Sequence, residues 1–198
     1  MRCMLVVIAL LVALTTQCWA VAPVNLTMIN EAQEYGRQLA HLAVAEFLRP
    51  WQVYEERAAK LDERAERACL YTPFLLLATD ARQKTLNGQP VRLRDSEQIL
   101  GNYVGYLVFS VDLFGNSKDF ARSVKAWLQQ KDARVPVHEV LVPSPSAKTE
   151  WWPQKPRYHT RCYLYFYEPN VNLQQPAILV VTTGKQQHRF YFDLPKIK

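Results

Sequence analysis

Glycine is scarce in this chain: six residues in 198, none of them clustered. That scarcity excludes the glycine-rich loops whose backbone amides cradle phosphates in nucleotide-binding proteins. There is no Gly-x-Ser-x-Gly elbow and no His-Glu-x-x-His helix, so neither a serine-hydrolase turn nor a zincin site can be read from the chain. Cysteine is equally sparse, and neither Cys69 nor Cys162 stands in the cluster of Cys and His residues that a zinc site uses. The histidines His41, His138, His159 and His188 are far apart and lack metal-ligand spacing. No metal and no cofactor is therefore expected. Beyond residue 14 no apolar run approaches the length of a membrane span, so no span is expected after processing.

The start of the chain supplies what the remainder lacks. Arg2, an apolar run from Met4 to Leu14 and the small-residue ending Cys18-Trp19-Ala20 form the three parts of a secretory leader over residues 1–20. The run is too short to span a bilayer, and Thr15-Thr16-Gln17 is a poor lipid-attachment motif ahead of Cys18. Cleavage after Ala20 gives a mature chain starting at Val21, secreted or periplasmic.

Charge divides unevenly. Met28 to Leu70 holds eight acidic and six basic side chains, whereas Tyr71 to Lys198 holds ten acidic and seventeen basic ones. A basic excess confined to the second part favours an anionic envelope component, such as an acidic glycan or lipid headgroup, or another protein. For an exported chain, nucleic acid is not the expected partner. Cys69 and Cys162 remain after processing, and an even pair in an oxidising compartment is a disulfide candidate.

Hydrophobic periodicity divides the mature chain in two. Residues 21–70 read as a helical segment. A capping box at Asn30 and Gln33 opens one helix running to about Leu48. After Pro50 a stripe of Phe47, Trp51, Tyr54, Ala58, Leu61, Ala65 and Ala68 predicts a second helix with a charged outer side. Residues 71–198 read as a β-rich domain. Strands are expected at Phe74 to Ala78, Pro90 to Leu93, Tyr106 to Phe114, Val135 to Val142, Tyr158 to Tyr167, Ala177 to Thr182 and His188 to Leu194. Asn87-Gly88 marks a turn and Asp95 to Leu100 a helical turn; Asn116 to Lys131 reads as a helix by the spacing of Phe120, Val124, Trp127 and Leu128, with a strand as the alternative because Phe120, Val124 and Leu128 also satisfy alternation. The expected fold class is α+β: an N-terminal helical segment followed by an antiparallel β-sheet or sandwich, with an immunoglobulin-like sandwich as the first variant to compare.

One segment concentrates recognition chemistry. Trp151 and Trp152 stand beside Lys155 and Arg157 in a proline-interrupted loop that leads into a strand carrying Tyr163, Tyr165 and Tyr167 on one face. Flat rings stack on sugars or apolar groups while their hydroxyls stay wet. These seven residues form the candidate ligand-binding set. The expected function is an exported, noncatalytic binding or interaction module of the cell envelope. The alternative is a small exported hydrolase with an unrecognised active site; separately, His159 and His188 lie in strands expected to be neighbours, so the fold could bring them together. Cys162, three residues after His159, would point to the opposite face of its strand and so could not pair with it directly.

Overall fold

The computed structural model of the protein describes residues 24–184 and 186–197. The leader and its cleavage point lie outside the described residues. The chain is α+β: helices come first, and two antiparallel sheets follow.

Helix α1 (Leu26–Gln38) starts five residues earlier than the capping box at Asn30 implies. Asn25 takes the cap, its side chain accepting a 2.8 Å hydrogen bond from the Met28 amide, which leaves Asn30 within the helix. A short helix α2 (Val44–Leu48) follows, then a 3₁₀ turn over Arg49–Trp51 with Pro50 near its start. The second long helix expected after Pro50 does not form. Strand β1 (Gln52–Tyr54) leads into a charged loop and back along β2 (Arg67–Tyr71), with Gln52 opposite Cys69. Ladder pairing and burial outweigh the helical period here. Of the apparent stripe, Phe47 and Trp51 enter one core and Ala68 another, whereas Leu61 is 68% exposed. The run from Glu55 to Glu66 is a loop closed by its own turns, such as Asp62 accepting from the Arg64 amide. The composition boundary expected at residue 70 falls inside β2.

The run from Phe74 to Ala78, expected as a strand, opens helix α3 (Pro73–Leu86). Thr72 caps it by accepting from the Leu75 amide, and Pro73 fits a first helical turn, where the missing N–H costs nothing. The first turns of α3 are apolar all round, from Phe74 to Ala78, so no helical period shows there. Gly36 sets the approach of α1: a Cβ there would lie 2.2 Å from the Ala78 carbonyl oxygen. Asn87-Gly88 is a turn, and it ends α3, with Gly88 at φ 65°. Pro90 to Leu93 form no strand, and helix α4 (Leu93–Tyr103) extends well past the expected helical turn.

Strand β3 (Tyr106–Gly115) matches its alternation. The segment expected as a helix to Lys131 instead forms β4 (Val124–Gln130), because pairing on both edges fixes it as strand and turns Ala126 and Leu128 into the core. The single strand expected at Val135 to Val142 is divided. Its first part is β5 (Ala133–Pro136), its second β6 (Glu139–Leu141), and the two belong to different sheets. Pro136 sits on an edge strand, where its missing donor is tolerated. Then come β7 (Ala147–Lys148), β8 (Tyr158–Tyr167), β9 (Ala177–Thr183) and β10 (Gln186–Phe192).

The first sheet runs β1-β2-β3-β8-β6, with β7 also on β8, and the second runs β10-β9-β4-β5. Leu70, Phe109, Val111, Leu164 and Phe166 of the first sheet share one buried cluster with Leu128, Leu179, Phe190 and Phe192 of the second. The two sheets are thus a sandwich, and this strand order does not establish an immunoglobulin-like arrangement. A second cluster joins Ile29, Phe47, Trp51, Leu75 and Leu77 to Cys69 on the other face of the first sheet. The helices therefore form an outer layer on that sheet alone. Among the described residues no helix is long and apolar enough to cross a membrane.

Candidate functional site

Strand alternation decides which side chains reach the outer face of the first sheet. In β3 the residues Leu107, Phe109, Val111 and Leu113 go into the sandwich, leaving Tyr106, Val108, Ser110, Asp112 and Phe114 outward. In β8 Cys162, Leu164 and Phe166 go inward, leaving His159, Arg161, Tyr163, Tyr165 and Tyr167 outward. The register sets Asp112 opposite Arg161, and Ser110 opposite Tyr163.

Asp112 is the hub of this face. Its side chain is only 7% exposed. It accepts Nε and Nη2 of Arg161 at 2.8 and 2.9 Å, Nε of Arg67 at 3.0 Å, and Nε2 of His159 at 3.0 Å. Burial by itself would raise its pKa. The hydrogen bonds from His159 and Arg161, with the Arg161 and Arg67 charges, outweigh that and hold the carboxyl well below the usual carboxylate range.

On one side of the hub lies a cleft of about 420 Å³. Four tyrosines from three elements line it: Tyr71 (β2), Tyr103 (α4), Tyr163 and Tyr165 (β8), with Leu76 and Thr79 of α3 opposite the sheet. Burial is the main cause pushing the Tyr71 phenol up to about 12. The Thr79 hydroxyl is buried and has no hydrogen-bond partner among the described residues. Past the cleft, Tyr106 and Tyr167 stack at 5.2 Å between ring centroids, and the Tyr167 hydroxyl shares a 3.2 Å hydrogen bond with His138 Nε2.

On the other side of the hub is a cleft of about 360 Å³, lined by Phe114, Trp151, His159, Arg67 and Lys148 among others. Trp151 packs 5.9 Å from Phe114, with the Arg64 guanidinium 4.8 Å over its ring. Trp152 is 47% exposed, with Lys148 Nζ 4.1 Å over its ring. Trp152 and Arg157 line a separate depression beside Asn116 and Asp119, and Lys155 is exposed. The seven sequence candidates are therefore distributed. Tyr163 and Tyr165 share the tyrosine cleft, Tyr167 stands at its far end, Trp151 lies beyond Asp112, and the remaining three belong to the loop surface.

Sequence reading missed Tyr71, Tyr103, Arg67 and Asp112. A signal existed for the last: a carboxylate amid the apolar residues of β3 needs a cationic partner, and Arg161 is a cation on another expected strand.

The expected bridge between Cys69 and Cys162 is absent; both are buried free thiols. Cys69 pairs with Ser110 and Cys162 with Val111, positions that face opposite sides of the sheet. His159 and His188 do not meet either, since β8 and β10 belong to different sheets. His188 instead joins Thr183 Oγ1 through Nε2 at 3.1 Å and the Glu66 carboxylate through Nδ1. A hydroxyl, imidazole and carboxylate in line can serve acyl transfer. Here Thr183 and His188 are 7% and 8% exposed and share the inward side of their strands with Leu179 and Phe190, so the chain ties the loop before β2 to the second sheet. Among the described residues no group of three or more His, Cys, Asp or Glu side chains could hold a metal ion. Neither a protein-family model nor a curated protein matches the chain.

Proposed function

We propose that the chain is an exported, noncatalytic binding module of the cell envelope that takes an anionic glycan along the outer face of its six-stranded sheet. The observation that carries this reading is the convergence of Tyr71, Tyr103, Tyr163 and Tyr165 on one cleft. Sugar rings offer C–H faces to flat aromatic rings and hydroxyls to phenols, and tyrosine presents both kinds of partner at little entropic cost. The charge balance beside the cleft supports an acidic sugar. Asp112 offsets one of the two guanidinium groups it binds; the other leaves a positive charge at the Tyr163 end of the cleft, while Glu139 opposite Tyr165 makes the far end negative.

Titration with uronate-containing oligosaccharides and their neutral counterparts, followed by tyrosine and tryptophan fluorescence, tests the reading. Saturable binding of the acidic set is expected, with Tyr163→Ala and Tyr165→Ala each weakening it at least tenfold at little cost in thermal midpoint. Undiminished binding by both variants, or no saturable binding of either set, overturns it. Export is tested separately by N-terminal sequencing of the protein from an exporting host, with Val21 expected first.

A further inference from the structure

We infer that the outer face of the four-stranded sheet is a docking surface for an anionic lipid bilayer, separate from the tyrosine cleft. The helices pack on the six-stranded sheet, and among the described residues no helix lies over this face, whose outward side chains are exposed or half-buried except Val180, buried at its centre. Its outward positions are set by the register: Trp127 opposite Val180, Val180 opposite Arg189, Gln129 opposite both Arg134 and Ile178, and Ile178 opposite Tyr191. Lys125 stands two residues before Trp127 on the same side. None of the outward positions on the four strands is acidic. This face therefore carries part of the basic excess seen in the second part of the sequence.

The cations are arranged in two dimensions. Lys125, Arg134 and Arg189 sit on β4, β5 and β10, with Arg134 and Arg189 roughly 14 Å apart by ordinary strand spacing. A linear polyanion presents its charges in a row, whereas a bilayer presents them in a plane, which is what cations spread over separate strands meet, with Lys125 and Arg134 carrying the charge while Glu56 offsets Arg189. Arg189 is held at the rim by Glu56 at 2.9 Å, and the Arg134 guanidinium lies 3.8 Å over the Trp127 ring. Trp127, the 48% exposed Tyr191 and Ile178 supply the amphipathic rings and apolar surface that favour the headgroup level. Basic side chains beside them add electrostatic attraction to anionic headgroups. No residue of this face lines either cleft described above.

The test is co-sedimentation of the protein from an exporting host with two kinds of vesicle: phosphatidylcholine alone, and phosphatidylcholine mixed equally with phosphatidylglycerol. Binding to the mixed vesicles and weak binding to the neutral ones are expected. Lys125→Glu, at an exposed position where folding is not at stake, should lower the apparent affinity about tenfold, and adding Arg134→Glu should lower it further. Arg92→Glu on the helical layer should leave it unchanged. Equal pelleting with both kinds of vesicle overturns the inference, as does an Arg92→Glu loss matching that of Lys125→Glu. Capture by dextran sulfate without capture by mixed vesicles would assign the face to a soluble polyanion. A lipid-free dimer abolished by Lys125→Glu, with vesicle binding untouched, would assign it to a second copy of the chain; either result also overturns the inference.

Discussion

Arg161 grips Asp112 with two parallel hydrogen bonds across the β3–β8 ladder, at 2.8 and 2.9 Å. The fork matches the carboxylate edge to edge, the geometry in which a guanidinium binds most strongly. Arg67 and His159 complete the set, so one buried carboxylate fixes side chains from two neighbouring strands on the face that bears the tyrosine cleft.

Removing that carboxylate should therefore cost more than losing the bonds themselves. Asp112→Ala leaves two guanidinium groups partly buried without a counter-charge, and the expected loss is about 3–5 kcal/mol in urea unfolding at neutral pH. The pH dependence has a definite sign. The native carboxyl sits far below its ordinary value, so as pH falls below about 4 the unfolded chain takes the proton first and unfolding is favoured. The contribution is fully present above that point and fades as pH falls. Asp112→Asn should flatten the acid limb of stability between about pH 5 and pH 2. An acid limb as steep as the parent's would show that Asp112 is not its source.

Both thiols should be inert in the native protein. Burial pushes Cys69 and Cys162 up to about 12, which leaves almost no thiolate at neutral pH. Iodoacetamide followed by peptide mapping should find neither residue modified in native conditions and both modified in nonreducing denaturant. Rapid native labelling, or a Cys69–Cys162 linked peptide, would contradict the face assignment.

Strands whose two faces differ were legible in the sequence. In β3 and β8 the apolar and polar positions alternate, and both strands stand close to where alternation puts them. Elements buried on two sides, or whose apolar residues satisfy both periods, were not legible. Helix α3 reads as a strand because it is sandwiched between α1 and the sheet, and β4 reads as a helix because Phe120, Val124 and Leu128 satisfy both periods. The run from Phe47 to Ala68 imitates a helix through coincidence of spacing, while the decisive force is the long-range pairing of β1 and β2 with β3. The site shows the same division. Tyr163 and Tyr165 were visible as neighbours on one strand face, but Tyr71 and Tyr103 reach the cleft only through contacts between elements distant in sequence.

The adjacent tryptophans lie in a turn and meet different neighbours, and that predicts unequal mutational costs. Trp151 is half-buried between Phe114 and the Arg64 guanidinium, whereas Trp152 is 47% exposed and contacts a flexible lysine. Trp151→Ala should cost about 2 kcal/mol, below the range for a fully buried ring because part of its surface is already wet. Trp152→Ala should cost less than about 1 kcal/mol, as surface substitutions generally do. Urea midpoints at constant slope measure both. Trp151 would then be a lid over the end of the sheet, with Trp152 alone left as the outward ring of the loop. Equal losses from the two variants would mean that both rings are buried in solution, and the loop would no longer present an aromatic contact.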